Sequence, residues 1–533
     1  MKPDATGRVR VASVLLTAAL ASPTIVMGQQ PVPPIFDAYV AKAVKDWQVP
    51  GLAVAVVRND SVLFAKGYGV RELGRPEPFD TGTVFAIASA TKSFTTAALA
   101  MLVDEKKLSW DDPVTKHLPE FQLSDPVRTR ELTVRDLVTH RAGMLRADPL
   151  NQETGYSRDE LVRRMRFAPV ASGFRARYLY SNNMYAVAGQ VIAAVAGMSW
   201  DEFLKRRIFE PLGMRSTVTN IRDLGSLPNV ATPHGLVHGR IEPLAWSDLD
   251  PSAPSGAINS TVMDLVQWIR MQLAGGVYRS VRLLSDSSIR EMRTPVVAIS
   301  SPLFGDLFRG ESHLYAYGLG WFIQDYRGHA LIEHGGRLRG ARSQVTLFPE
   351  DQIGIVVIGN YGAEFPDYVQ AITYRIFDGL IGAPDRDWSA DLLVLQAQKL
   401  REMQARHEPL DAARLTGTHP SRPLDAYAGV YEDSLYGAVE IERHGDELVA
   451  DWFGPSVLRG RLRHWHLDTF YVDEWSNPAF RPGEATLFSF LLGPDGKASE
   501  LRIRDAALSP TVGLDSRFRH VAGPPPGSRK NAR

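Results

Sequence analysis

Apolar residues change their period along the chain, and the changes divide it. An amphipathic stretch from Ile35 to Trp47 leads into an unbroken apolar run, Gly51-Leu-Ala-Val-Ala-Val-Val57. Asn59-Asp60 separates that run from Ser61-Val-Leu-Phe-Ala65, which predicts a β-hairpin. From Ala90 the spacing is helical, with Phe94, Ala97, Ala98, Met101 and Leu102 on one face. A second helix carries Met184, Val187, Ala188, Val191, Ile192 and Val195. A third carries Leu265, Trp268, Ile269 and Met271, with Thr261 and Asp264 placed as a capping box and Gly275-Gly276 as the stop. Strands return at Gln344 to Phe348 and Ile353 to Ile358, and a last helix spans Tyr368 to Leu380. Strands at both ends and helices between them predict an α+β fold, its sheet assembled from the two termini around an inserted helical region.

Beyond Arg386 the character shifts. Leu393 to Met403 reads as a charged helical linker, followed by Gly417-Thr-His-Pro-Ser-Arg-Pro423. From Tyr427 apolar and polar residues alternate, as in Val439 and Ile441 against Glu440 and Glu442. Turn signals stand at Gly445-Asp446 and Gly493-Pro-Asp-Gly496. Short strands at such intervals predict a small all-β domain ending near Val521, and the Gly523-Pro-Pro-Pro-Gly527 tail is expected to be disordered.

Composition narrows the chemistry. Sixty Lys+Arg balance sixty Asp+Glu, so there is no cationic surplus to neutralise phosphates, and nucleic acid is not an expected partner. The absence of cysteine removes thiolate nucleophiles, Fe–S clusters and cysteine zinc sites, leaving oxygen or lysine for covalent catalysis. At the start, Lys2, Arg8 and Arg10 precede an uncharged stretch from Val11 to Met27, with small residues around Gly28 before Gln29. This reads as a signal peptide over residues 1–28 and predicts a periplasmic or secreted protein. An uncleaved anchor is the alternative, and a membrane is expected as a partner only in that case; Pro23 makes the stretch a poor spanning helix.

Ser89-Ala-Thr-Lys92, at the start of the first long helix, is the only Ser-x-x-Lys in the chain. A three-residue offset puts both side chains on one helix face. A serine needs a partner to remove its proton, and a lysine partly stripped of water can serve. A lone match is weak, since a capping serine beside a solvated lysine explains most of them. Two further elements accompany it. Tyr180-Ser-Asn182 precedes the second helix, and His334-Gly-Gly336 lies in a strand-like context before Gln344.

This order of motifs resembles the serine β-lactamase and penicillin-binding-protein superfamily, above all its class C-like branch of D-alanyl-D-alanine carboxypeptidases, D-aminopeptidases and esterases. Val49 to Val57, Leu132 to His140, Ile208 to Met214 and Pro254 to Ser260 are similar to stretches of that branch, and the likeness runs from about Ile35 to Gly382. The chain after Tyr427 resembles, more loosely, a lipocalin-like β-barrel fused behind some of these hydrolases. Together these readings divide the chain into a signal peptide at 1–28, a β-lactamase-like domain at 35–385, a linker at 386–424, a lipocalin-like β-barrel at 425–522 and a disordered tail at 523–533.

It also implies roles. Ser89 would be the nucleophile of an acyl-enzyme and Lys92 would take or relay its proton. Tyr180 would be a second general base, its phenol pKa lowered by the neighbouring ammonium. Asn182 would bind the substrate amide and hold Lys92. His334, Gly335 and Gly336 would line the opposite wall, and the backbone N–H groups of Ser89 and Arg337 would hold the oxyanion. No cofactor or metal is expected.

The third motif departs from the usual Lys-Thr-Gly, with His334 for the lysine and Gly335 for the threonine. The loss of a permanent cation and a hydroxyl disfavours efficient antibiotic hydrolysis. Arg337, Arg339 and Arg342 stand near enough to restore carboxylate binding, although two of the three are expected to face solvent. Near His140, Arg141-Ala142 replaces a common Thr-Ser. His234 and His238 read as loop histidines, Glu333 as a surface residue and Arg163-Arg164-Met165-Arg166 as one solvated helix face. Trp246 reads either as part of a cleft lid with Asp248 and Asp250 or as core cover.

The expected activity is that of an exported serine peptidase, amidase or esterase acting on small peptide, amide or ester substrates, among them D-residue-containing cell-wall or linearised non-ribosomal peptides. β-Lactamase or carboxylesterase activity and a non-catalytic penicillin-binding-like receptor are the alternatives, and a homo-oligomer is compatible with each.

Overall fold

In a computed structural model, the described residues are 34–151, 154–300, 305–308, 310–412, 414–452, 458–475, 486–505 and 515–521. The expected signal peptide and disordered tail lie outside them.

The sheet of the N-terminal domain has eight strands: β1 (Gly51–Arg58), β2 (Ser61–Gly69), β3 (Val297–Ala298), β4 (Tyr315–Tyr317), β5 (Phe322–Tyr326), β6 (His329–Leu338), β7 (Ala341–Phe348) and β8 (Ile353–Gly359). Their order is β2-β1-β8-β7-β6-β5-β4-β3. The N-terminal hairpin therefore pairs with the last strand, Leu52 opposite Gly359 and Arg58 opposite Ile353. Strand β1 is an unbroken apolar run because both of its faces are covered. Ala53, Ala55 and Val57 face the helical region, whereas Leu52, Val54 and Val56 face α1 (Pro34–Asp46) and the C-terminal helices.

The helical region supplies α2 (Thr91–Asp104), α3 (Asn182–Ala196) and α4 (Val262–Leu273), and α5 (Tyr368–Ile381) closes the opposite layer. At α4, Thr261 accepts the Asp264 N–H at 3.0 Å. The return half of the expected capping box is absent: Asp264 accepts instead from the Ser216 N–H at 2.9 Å and the Thr217 hydroxyl at 2.8 Å.

Helix α6 (Trp388–Ala412) begins inside the core of the N-terminal domain, so the expected linker starts too early. Trp388 is fully buried, stacks on Phe308 at 5.1 Å and donates to Asp378 at 2.7 Å. An indole with that much apolar surface is held by burial, whatever the charge of the residues that follow.

The C-terminal domain is a closed antiparallel barrel of eight strands between Gly429 and Val521. Its first hairpin touches the N-terminal domain. Arg164 donates to the carbonyls of Ser434 (3.0 Å) and Leu435 (3.2 Å), and the Tyr156 hydroxyl to that of Tyr436 (3.4 Å). Met165 is fully buried, so the arginine cluster is not one solvated face. Its helical turn uses one side for core and one arginine for the barrel.

Candidate functional site

Ser89 lies in a single 3-10 turn, Ala88–Ala90, that feeds α2. Ala88 has φ of 48°, a left-handed conformation costly for a residue with a Cβ and common where a chain turns sharply at a functional site. The turn is held from behind: the Ile87 N–H donates to Ile258 O at 3.0 Å, and the Ser343 hydroxyl donates to Ile87 O at 2.6 Å.

One turn on, Lys92 is fully buried. Its Nζ lies 3.2 Å from Ser89 Oγ, 2.8 Å from Asn182 Oδ1 and 2.7 Å from Ser255 O. Burial, seconded by the charge of Arg146, holds the amine well below its ordinary pKa. The Tyr180 hydroxyl donates to Ser89 Oγ at 2.9 Å. The expectation of a depressed phenol pKa is corrected: burial outweighs the Ser89 hydrogen bond and Arg146, and the pKa is raised. Lys92 does not offset the desolvation of a phenolate, because the same burial favours its neutral form, and Arg146 offsets it only in part.

His334 sits on β6, 1% exposed. Its ring is bonded to Gly335 O through Nδ1 (2.8 Å) and to the Tyr317 hydroxyl through Nε2 (3.1 Å). Nδ1–H donates to the carbonyl. Burial and Lys92 push its pKa down to about 3. Gly336, on the same face, presses against Ile87 so closely that a Cβ would overlap the Ile87 carbonyl. Gly335 faces the other way, toward Gln344.

Ser89, Lys92, Tyr180 and Asn182 thus come together, with Gly336 against their turn and His334 close enough to feel Lys92. The Arg337 side chain does not join them: it is half-exposed and paired with Glu364. Arg342 is buried against Asp367 at 3.0 Å, and Arg339 reaches the Ser247 hydroxyl at 3.2 Å. Only Arg337 of the three is exposed, not two.

Trp246 packs on Phe85 at 5.1 Å, and Trp246, Asp248 and Asp250 line a crevice with Gly256, Ala257 and Leu338. His234 is no loop residue but a buried strand residue, its Nε2 accepting the Leu73 N–H (3.0 Å) and its Nδ1 facing Asn360 O (3.1 Å). His238 is an exposed turn residue. Among the described residues no cluster of three or more His, Asp or Glu is arranged for a metal.

Two residues of the site are given no role by the sequence, although His140 ends a stretch similar to the family. Arg146, paired with Asp148 at 2.7 Å, lies 5.2 Å from the Tyr180 ring. His140 is buried beneath Tyr180. Neither belongs to a spaced motif, and only the fold brings them to it.

Glu333 is not a surface residue either; it is 3% exposed between Gln324 and Gln344, on the face of β6 away from His334. Burial lifts its pKa from 4.5 to about 8. Between those values the folded chain keeps a proton that the unfolded chain releases, so stability should fall as pH rises from 4.5 to about 8 and then level off. Glu333→Gln should flatten that slope, as thermal unfolding across the pH range will show.

Residues 36–378 match the family model described as Beta-lactamase, and residues 413–518 match a domain of unknown function, DUF3471. The chain is 28% identical to the "Unguisins hydrolase ungD" of Aspergillus violaceofuscus over 76% of each chain. It is 25% identical to "Protein flp" of Staphylococcus aureus over 64% of this chain and 66% of that protein. In fold it is similar to the octameric penicillin-binding protein homologue from Pyrococcus abyssi, with TM-score 0.57 at 22% identity over 91% of this chain and 99% of that one. A D-stereospecific amidohydrolase from Streptomyces sp. aligns at TM-score 0.50 and 23% identity, over 61% and 94%. With a matching model over most of its length and the family's motifs gathered around one serine, the chain belongs to the beta-lactamase family of serine hydrolases.

Proposed function

We propose that the protein is an exported peptidase, amidase or esterase that forms an acyl-enzyme on Ser89, with short or D-residue-containing peptides as substrates. The observation that carries this reading is the placement of Ser89 Oγ between Lys92 Nζ at 3.2 Å and the Tyr180 hydroxyl at 2.9 Å. A neutral lysine has two N–H groups and one lone pair. Asn182 Oδ1 and Ser255 O take the two N–H groups, which leaves the lone pair for the Ser89 proton. Lys92 accepts that proton as Oγ attacks the carbonyl carbon. When the bond to the leaving amine or alcohol breaks, Tyr180 delivers its phenolic proton to that group and draws the replacement from Lys92. Water then attacks the ester carbon by the same route in reverse, and Ser89 regains its proton. The Ser89 and Arg337 backbone N–H groups hold the oxyanion.

The choice of peptide substrates leans on the names of an unguisins hydrolase and a D-stereospecific amidohydrolase among the similar proteins. The neutral His334 supplies no cation for a β-lactam carboxylate, so nitrocefin turnover should be slow. Export rests on the basic and then uncharged N-terminus.

A fluorophosphonate probe, followed by peptide mapping, tests the nucleophile; failure to label Ser89 in folded protein overturns the reading. A panel of D- and L-peptide amides, esters and carboxypeptidase substrates tests the specificity. The protonation state of Lys92 sets a further expectation. Because its pKa is depressed and its neutral form is the active one, kcat/KM should rise with pH through a value well below 10.5. The rate should collapse on the acid side of it, and a pH–rate profile reads this directly.

A further inference from the structure

Tyr180 belongs to no helix or strand, yet its hydroxyl must stay within hydrogen-bonding reach of Ser89. Something outside its own segment must therefore fix it, and one residue touches that segment three times. The His140 carbonyl accepts the Leu179 N–H at 2.7 Å. The His140 Nδ1 accepts the Ser181 N–H at 3.1 Å. Between those two bonds, the imidazole lies over the Tyr180 ring itself, centroids 4.2 Å apart and planes at 33°. The residues before and after the tyrosine, and the tyrosine's own ring, are thus held by a single side chain and its carbonyl.

The clamp depends on an unusual backbone and a fixed tautomer. His140 has φ of 58°, which turns its carbonyl and its ring toward the same neighbour. Nδ1 can accept the Ser181 N–H only while unprotonated, so the hydrogen of the neutral ring sits on Nε2. Nε2 has no partner among the described residues, and the ring is fully buried. A buried donor left without an acceptor is unfavourable. A phenylalanine would fill the space without that cost, but would give up the Nδ1 acceptor. The ring also meets Tyr317 at 4.6 Å, and the Tyr317 hydroxyl holds His334. Through Tyr317 the imidazole is thus linked to the strand that forms the opposite wall.

We propose that His140 is a positioning residue that aims the Tyr180 hydroxyl at Ser89, through an acceptor at Nδ1 and a ring face against the phenol. This rests on the Ser89-Lys92-Tyr180 reading above. It gives the segment Leu132 to His140 a role in that chemistry although the histidine touches no reacting atom.

Three variants separate the clamp from mere packing. His140→Phe keeps a ring and loses the acceptor. His140→Asn places an amide oxygen where Nδ1 was. His140→Gln has the same polarity but sets its amide oxygen one bond too far. Steady-state kinetics and the rate of fluorophosphonate labelling at Ser89 are measured for each, with thermal unfolding to check folding. His140→Phe should lose about 10²-fold in kcat with KM changed less than about threefold, since a misplacement of about 1 Å costs that much. His140→Asn should recover about tenfold of that loss, and His140→Gln should not. Equal kcat in the Asn and Gln variants overturns the proposal, and that comparison stands even if the Phe variant does not fold. Labelling of His140→Phe at the wild-type rate overturns the clamp alone. No labelling of the wild-type protein overturns the Ser89 reading and the clamp with it.

Discussion

Lys92→Met should lower kcat/KM by about 10⁴-fold, and adding it to Ser89→Ala should cost little more than either change alone. Groups that move one proton as a unit are not additive, because removing any of them ends the same step. The amine is positioned for nothing else: each of its three polar neighbours is part of the site, and burial keeps it from water. Stability should change little, because two effects oppose each other. The variant leaves Asn182 Oδ1 and Ser255 O without their donor, costing about 1–3 kcal/mol for each buried group. It also removes an amine that is held neutral against its ordinary preference. Single and double variants assayed on one ester substrate, with thermal melts, test this. A double variant much slower than Ser89→Ala would show that Lys92 acts apart from the serine.

Gly336→Ala is the second large effect, and it acts through packing. A Cβ there would overlap the Ile87 carbonyl and the Ser343 hydroxyl, which are bonded to each other at 2.6 Å. Neither can yield, since Ile87 opens the strained turn that carries Ser89 and its N–H is tied to Ile258. Overpacking of this kind costs about 1–3 kcal/mol. The displaced turn should also cost about 10²-fold in kcat. Gly335→Ala is the matched control. Its Cβ would meet only the end of the buried Gln344 side chain and no backbone, so a smaller loss of stability and no displacement of the Ser89 turn are expected. Chemical denaturation and kinetics on both variants decide it; similar losses would place the constraint in the strand and not in its contact with Ile87.

Much of the fold and the site is legible in the sequence alone, for reasons that differ by residue. The run from Gly51 to Val57 is apolar without alternation because both faces of β1 are covered, and that is readable from one strand. Ser89 and Lys92 are three residues apart, so local geometry joins them. Tyr180, Asn182 and His334 stand out by motif order. Properties that depend on burial are not legible. Glu333, which reads as a surface residue, is buried between two glutamines, and Tyr180 has a raised pKa where a neighbouring lysine suggests a lowered one. Sequence gives neighbours in charge but not how much water they lose. Trp388 is hidden in a charged context, and His140 lies about 40 residues from the tyrosine it holds, with no spacing to betray it.

The pairing of β1 with β8 has a consequence for how the chain is made. Leu52 and Gly359 are neighbours in the sheet but about 300 residues apart in sequence. The centre of the sheet cannot close until nearly the whole catalytic domain has left the ribosome, and contacts of such long range form slowly. Until then the first hairpin presents an open, apolar edge able to pair with another chain. A polypeptide ended anywhere before about Gly359 is therefore expected to aggregate and not to yield a smaller working enzyme. The same delay keeps a newly made chain extended for longer, the state in which a polypeptide can still be threaded across a membrane before it folds.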